Sequence, residues 1–376
     1  MLDLNEVRGR IDQIDNSLVE LFRKRMEVCR EVAEFKIGTG KKVLDRQREI
    51  QKLETLGGLA QNDFEKHGIT EMFTQIMAMS RKLQYQMMAE HGIVEKLPFG
   101  AVDDVKKEQV KVVFQGVEGA YSHAAMLQYF GDCTESFHVP NFEAAMKAVA
   151  DGEADYAVLP IENSSAGQVG DVYDLLIKYD NTIIGETYLS VNHCLLGLPG
   201  ADISQIKTVY SHPQGLMQCV GYLNSHADWQ QISQPNTAMS AQKVVEEKDR
   251  TKAAIASRLA AKLYGLEILA EDVNDNQSNT TRFIIVTREK QYPRDARKVS
   301  ICFEIAHESG SLYNTLSHII YNNLNMTKIE SRPIADRPFE YRFFVDFEGN
   351  LGDAAVENAL FGIQEEVKNL KILGNY

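Results

Sequence analysis

Cysteine is scarce in this chain. Five occur in 376 residues, at Cys29, Cys133, Cys194, Cys219 and Cys302, and no two form a CxxC pair. An odd, scattered set excludes a disulfide framework and points to reduced thiols in a cytoplasmic protein. Proline is also sparse, at nine, and no low-complexity tract is present. No apolar run approaches the ~20 residues of a membrane-spanning helix. Charges interrupt the apolar residues of the first segment, so no signal peptide is expected. An excess of positive charge is lacking too: 40 Lys+Arg against 53 Asp+Glu leave a net charge of −13. That balance argues against nucleic acid and anionic membrane as partners. The chain contains no GxGxxG, no Walker A loop and no HExxH, which removes the simplest case for nicotinamide, nucleotide or zinc-protease chemistry.

What is present divides into parts. At ~150 residues per domain the length predicts two or three domains. Residues 1–98 hold 16 basic and 16 acidic side chains, so the remainder carries the whole negative excess. Leu4, Val7, Ile11, Ile14, Leu18, Leu21, Arg25, Val28, Val32 and Phe35 repeat at alternating spacings of three and four. This is the a/d seam of a long helix closing at Gly38-Thr39-Gly40. A helix of ~35 residues spans ~50 Å and needs a partner helix, from this chain or another. Helices over 44–57 and 62–91 follow, then a linker over 92–108. Residues 109–289 alternate strands with helices, which predicts α/β layers with mostly parallel sheets. Two such runs, 109–190 and 191–268, followed by TRFIIVT, predict two lobes with a ligand cleft between them. Residues 298–376 read as βαββαβ, the ferredoxin-like order.

Arg25 stands out because it occupies a seam position otherwise apolar. A buried guanidinium needs a partner. The choice lies between an internal ion pair with a glutamate and an anion site inside a helical bundle. Lys36 lies three turns on along nearly the same face, and Asp45, Arg48 and Glu49 cluster at the next helix start. Arg8 is 17 residues from Arg25, or ~25 Å along one helix. If Arg8 serves the same kind of site, that site belongs to a second chain and the helical domain is an intertwined dimer.

Together with Ser80 and Gln84, this pattern resembles the AroQ-type all-helical chorismate mutases over residues 1–91. The resemblance implies that Arg25, Lys36, Asp45, Arg48, Glu49, Ser80 and Gln84 bind chorismate with Arg8 of a second subunit. The rearrangement is pericyclic, and negative charge builds on the ether oxygen as the C–O bond breaks. Lys36 and Gln84 are the donors suited to that oxygen, and Glu49 must be protonated or accept from the substrate hydroxyl.

In the middle segment, polar clusters follow the strands: FQGVEGAYSHAA (114–125), YAVLPIENSSAGQVGDVYDLL (156–176), YSHPQGLMQC (210–219) and NTTRFIIV (279–286). Each alone reads as turn and cap chemistry. Glu162-Asn163-Ser164-Ser165, between strand and helix, offers hydroxyls and N–H groups for an anion. The four together resemble prephenate dehydratase. Thr281-Arg282-Phe283 matches that family's TRF motif, and IENS matches its IENT with Ser164 for threonine. The resemblance implies loss of CO₂ and of the ring hydroxyl, with Thr281 assisting the leaving group and Arg282 clamping a carboxylate. Ser122, Glu162, Asn163, Ser164, Ser165, His212, Gln214 and Phe283 complete the expected cleft. His123 and His212 read equally well as structural histidines.

The C-terminal part resembles an ACT domain. Gly310-Ser311-Leu312 and Glu330-Ser331-Arg332-Pro333 match its GAL and ESRP motifs, which imply phenylalanine as effector. The domain order along the chain resembles the bifunctional P-protein family, chorismate mutase/prephenate dehydratase. That implies two consecutive steps toward phenylalanine, no metal or organic cofactor, and a homodimer or higher homo-oligomer. The competing reading is a non-catalytic phenylalanine sensor whose helical segment only dimerises.

Overall fold

A computed structural model of the chain describes residues 3–93, 97–132, 134–308, 310–335 and 337–376; Cys133 and residues 94–96 of the expected linker lie outside these. It contains two compact units. One comprises residues 1–98 with 297–372, and the other residues 99–296 with 373–376. Among the described residues no helix is long and apolar enough to cross a membrane.

The first unit begins with helix α1, Leu4–Thr39. Asp3 caps it by accepting from Asn5 N at 2.9 Å, and Gly40 ends it at φ 67°, a left-handed conformation that glycine adopts without cost. The predicted seam is a continuous helical face, yet most of it is exposed: Leu4, Ile11, Ile14, Leu18, Leu21, Val28, Val32 and Phe35 all face outward. Helix α2, Arg46–Gly57, is capped by Asp45, and α3, Asp63–Glu90, by Asn62. The C-terminal half of α3 is buried, and it buries polar residues: Ser80, Arg81, Lys82 and Gln84 as well as Met77, Tyr85 and Met88. Such burial is costly unless each group finds a partner.

The C-terminal part of this unit has the expected βαββαβ order: strand Lys298–Glu304, helix Ser311–Tyr321, strands Met326–Ile334 and Arg337–Glu348, helix Ala354–Glu366 and strand Lys368–Asn375. In the sheet these strands lie in the order second, third, first, fourth. Helix α3 packs against helix Ala354–Glu366, with the Tyr85 and Phe361 rings edge to face at 5.0 Å.

The second unit has two main sheets, as two lobes require. The first contains Thr182–Ser190, Thr280–Thr287, Tyr156–Asn163, Lys111–Gln115 and Glu135–Val139 in that order. The second contains Glu267–Ala270, His193–Gly197, Lys252–Ser257, Thr208–Ser211 and Gln230–Ser233. Both are mixed rather than mostly parallel. Thr280–Thr287 runs antiparallel to both of its neighbours, because it returns from the second lobe into the middle of the first. The run TIIGETYLSVNHCLLGL breaks at Val191-Asn192, at the boundary expected between the two lobes, and its halves join different sheets. The expected linker is partly built into this unit. Gly100–Val102 pairs with Gln291–Pro293, and Val105 is buried in the first lobe's core beside Val110.

Candidate active sites

Seven of the eight residues expected at the helical site fall into two groups: Arg25, Ser80 and Gln84 are hydrogen-bonded across α1 and α3, and Lys36, Asp45, Arg48 and Glu49 gather where α1 gives way to α2. From α1, Arg25 Nη1 donates to Ser80 Oγ on α3 and, at 3.7 Å, to Cys29 Sγ. Among the described residues no carboxylate pairs with Arg25, so the internal ion pair is not the arrangement adopted. Lys36 Nζ donates to Val43 O at 2.7 Å. Burial draws its pKa down, against the upward pull of Asp45 and Glu49 and with a smaller downward push from Arg48. Asp45 spends one oxygen capping α2, accepting from Arg48 N at 3.1 Å, while the Arg48 side chain is exposed. Gln84 Nε2 donates to Ser80 O at 3.1 Å, and its buried Oε1 has no partner. One amide hydrogen of Gln84 thus remains for a ligand. Arg8, exposed on α1 and ~25 Å from Arg25, stands apart from the set.

The sequence reading missed Arg81. Its Nη1 donates to both Glu49 oxygens, at 2.7 and 2.6 Å, and its Nη2 donates to Glu366 Oε1 at 3.0 Å. Burial opposes its charge, but Glu49 and Glu366 more than offset this and hold its pKa above the ordinary arginine value.

In the second unit a cleft of about 620 Å³ opens between the lobes. Ser122, Asn163, His212, Gln214, Thr281 and Phe283 line it, as expected. Alternation along Thr280–Thr287 puts Thr281 and Phe283 on one face. On the neighbouring strand an irregularity between the Arg282–Glu162 and Phe283–Pro160 pairs lets Pro160 and Asn163 both reach the cleft. Asn163 Nδ2 donates to Thr281 Oγ1 at 2.9 Å and to Asn279 Oδ1 at 2.8 Å. Thr281 therefore accepts from Asn163 and keeps its own proton for a group in the cleft.

Arg282 does not clamp a ligand there. The alternation that exposes Thr281 turns Arg282 to the opposite face, where Nε pairs with Glu186 Oε2 at 2.7 Å and Nη2 donates to the Tyr376 hydroxyl at 2.8 Å. Glu162, its register partner, is likewise off the cleft lining. Ser164 is used structurally: its Oγ accepts from Thr280 N at 2.9 Å, and its own N–H donates to Thr280 O. Ser165 Oγ accepts from Asn276 Nδ2 at 3.0 Å. The N–H groups of Ser165 and Ala166 go to Asn163 Oδ1, so this loop holds no anion of its own.

Anion-binding capacity lies instead at helix ends. The N-termini of helices Tyr121–Phe130 and Gly170–Lys178 both open on the cleft, and neither has a side-chain cap. Asp3, Asp45, Asn62, Asn141, Asn236 and Ser257 cap other helices of the chain. An uncapped N-terminus presents N–H groups and the positive end of the helix dipole, which suits a carboxylate. The Tyr121–Phe130 end has no acidic residue in its first turn, whereas at Gly170–Lys178 the Val172 N–H already goes to Val169 O and Asp171 brings its own carboxylate to the cleft.

Both doubtful histidines are built into the fold. His123 Nδ1 accepts from Gly119 N at 3.0 Å, and its ring stacks on Phe114. His212 caps its short helix by accepting from Gln214 N at 3.2 Å, while one edge still faces the cleft. Burial lowers the pKa of each. Tyr121, His193 and Gln218 also line the cleft and were not read from the sequence. His193 Nδ1 lies 2.9 Å from the Tyr121 hydroxyl and Nε2 2.9 Å from Gln218 Oε1, a chain that ties the second lobe to a helix of the first. Tyr121 begins the YSH stretch after a strand, which was a usable signal; His193 sits in an apolar strand and gave none.

Gly310, Ser311 and Leu312 line a third cavity, of about 540 Å³, with His307, Glu340 and Tyr341. Gly310 adopts φ 81° at the N-terminus of its helix. Glu330, Ser331, Arg332 and Pro333 lie on strand Met326–Ile334, outside that lining. Among the described residues the two expected effector motifs do not share this cavity.

A family model described as prephenate dehydratase matches residues 112–291, and one described as chorismate mutase type II matches residues 7–85. The bifunctional chorismate mutase/prephenate dehydratase of Escherichia coli (strain K12) is 33% identical, over 98% of this chain and 95% of that protein. The chloroplastic arogenate dehydratase/prephenate dehydratase 1 of Arabidopsis thaliana is 42% identical over 82% of this chain and 81% of its own length. Among solved structures, a prephenate dehydratase of Arthrobacter aurescens in complex with L-Phe matches with a TM-score of 0.66 and 31% identity, over 71% of this chain and 89% of that one.

Proposed function

Because this chain belongs to the family of bifunctional chorismate mutase/prephenate dehydratases, we propose that its two candidate sites divide the two reactions between them. The protein is an enzyme of phenylalanine biosynthesis. It rearranges chorismate to prephenate and converts prephenate to phenylpyruvate. The sensor reading gives way to this one.

For the mutase step we assign the set on α1–α3. Arg25 supplies an unpaired guanidinium for a carboxylate, while Lys36 and the free amide hydrogen of Gln84 meet the ether oxygen. The exposed seam of α1 supports a second copy as its cover. Each large apolar residue there contributes about 1.5–3 kcal/mol on full burial. The same packing brings the partner copy's α1, and with it that copy's arginine at position 8, to the pocket. A homodimer with shared mutase sites, working in the cytoplasm, is the assembly we propose.

For the dehydratase step, the observation that carries the assignment is the Asn163–Thr281 hydrogen bond at the cleft. It leaves the Thr281 hydroxyl to donate to the departing ring hydroxyl, which leaves as water on taking up a proton that comes from solvent and is relayed through Thr281, whose own proton is replaced in the same step. The carboxylates sit on the uncapped ends of helices Tyr121–Phe130 and Gly170–Lys178, in place of the Arg282 clamp. Decarboxylation and loss of water then aromatise the ring. Residues 298–376 act as an ACT domain binding phenylalanine at Gly310-Ser311-Leu312. A second copy supplies Glu330–Pro333, which accounts for the separation of the two motifs in one chain.

The purified protein given chorismate alone tests this. Phenylpyruvate that appears, and falls when phenylalanine is added, supports the whole assignment. Prephenate accumulating alone removes the Thr281 site, and insensitivity to phenylalanine removes the effector site. Arogenate assayed in parallel shows whether the plant relatives' other named substrate is shared.

A further inference from the structure

Arg81 has no role in the assignments above, yet both terminal nitrogens of its buried guanidinium are held by carboxylates. It lies on α3 between Ser80 and Gln84, both of the mutase set. Its side chain is 8% exposed, and that of Glu366 is 9% exposed. One arm of the guanidinium grips both oxygens of Glu49, and the other reaches Glu366 at the end of helix Ala354–Glu366. Glu366 Oε1 is in turn 3.1 Å from His318 Nε2. A planar fork held at two points cannot rotate away from either. Glu49 is thereby fixed in one rotamer, its oxygens committed as acceptors. A cavity of about 220 Å³ lies beside this junction, lined by Glu49, Arg81, Glu366 and Ser311 of the proposed effector motif.

We propose that Arg81 is a positioning residue for the mutase reaction: it aims the Glu49 carboxylate at the substrate's ring hydroxyl, and Glu366 from the C-terminal segment holds Arg81 in place. The rate of the first reaction therefore depends on a side chain 285 residues further along the chain. This rests on the assignment of Glu49 to the mutase pocket; with both oxygens already accepting from Arg81, Glu49 meets the substrate hydroxyl as an acceptor instead of a donor.

The test uses the full chain with chorismate as substrate and four single variants: Glu366→Gln, Arg81→Met, Arg81→Lys and Glu49→Gln. Glu366→Gln keeps the shape and an acceptor oxygen, so it remains informative where Arg81→Met fails to fold. A misplaced catalytic group lowers turnover more than binding, so kcat should fall about 5–10-fold in Glu366→Gln and about 30-fold in Arg81→Met, with KM within about twofold. Arg81→Lys, keeping the charge without the fork, should fall between wild type and Arg81→Met. Adding Arg81→Met to Glu49→Gln should slow the enzyme no further, since the two act as one unit. Turnover of supplied prephenate should stay unchanged throughout.

Wild-type mutase kinetics in both Glu366→Gln and Arg81→Met, beside an impaired Glu49→Gln, overturn the proposal while leaving Glu49 in the pocket. Full activity in Glu49→Gln removes Glu49 from the pocket and the proposal with it. A slowing by Arg81→Met that is the same with and without Glu49 means that Arg81 acts by another route and also overturns it.

Discussion

Replacing Thr281 by valine removes one hydroxyl and keeps the shape of the side chain. The loss to the fold is small, because Asn163 Nδ2 keeps Asn279 Oδ1 at 2.8 Å as an acceptor. Losing one neutral hydrogen bond costs about 1 kcal/mol of stability, and the freed second N–H of Asn163 still has Thr280 O at 3.4 Å and the open cleft beside it. The loss to chemistry is larger. A donor aimed at the charge developing on a leaving oxygen contributes about 2.7–4 kcal/mol, so kcat for prephenate should fall about 10²–10³-fold. Thr281→Ser restores the hydroxyl next to the same Asn163 amide and should recover most of the rate. The assay follows phenylpyruvate from supplied prephenate, with chorismate consumption by the same preparation as the control for intact protein. A valine variant within threefold of wild type, with mutase activity normal, refutes the proton role of Thr281.

Arg282→Met should lower kcat for prephenate far more than it raises KM, because Arg282 braces the strand through Glu186 and Tyr376 instead of touching substrate; a large rise in KM with kcat intact restores the clamp. Its melting temperature should also fall, since breaking a buried ion pair costs about 3–5 kcal/mol. Lys82 has its pKa pushed down to about 7 by burial and by Arg81, only partly offset by Glu366. From about pH 7 to the unfolded value of 10.5 the unfolded chain holds a proton that the folded chain lacks, so stability rises with pH across that window and is least below it. Lys82→Met should therefore raise the melting temperature more at pH 6.5 than at pH 10, and an equal gain at both would count against the burial argument. Arg8→Ala and Arg25→Ala are each expected to lack mutase activity, and their mixture should regain part of it after subunit exchange. A mixture that exchanges and stays inactive shows that Arg8 serves its own chain or none.

Much of this was legible in the residues. The alternating spacing from Leu4 to Phe35 announced α1, and the glycines at its end announced its stop. Thr281 and Asn163 were singled out and do meet, because two neighbouring strands pair them in register. Arg282 was misplaced although the signal was available: strand alternation alone turns it away from Thr281. Arg81 was not readable at all. In SRKLQYQ it looks like a charge on a solvated helix face, and nothing local announces the carboxylate of Glu366 on a distant helix. The linker was misjudged because Asp103–Glu108 is rich in charge, while the single buried Val105 anchors it.

The two uncapped helix ends in the cleft have a consequence for direction. Prephenate carries two carboxylates and takes up one proton as it reacts; carbon dioxide and water depart, and phenylpyruvate keeps a single carboxylate. On the proposed assignment the substrate occupies both helix ends, while the product leaves one of them facing solvent. The cleft thus weighs its contents by charge, gripping the dianion and loosening its hold on the monoanion. Turnover itself opens the door for release, with no lid required. Added salt should weaken substrate capture more steeply than product retention, since two fixed dipoles are screened in one case and one in the other.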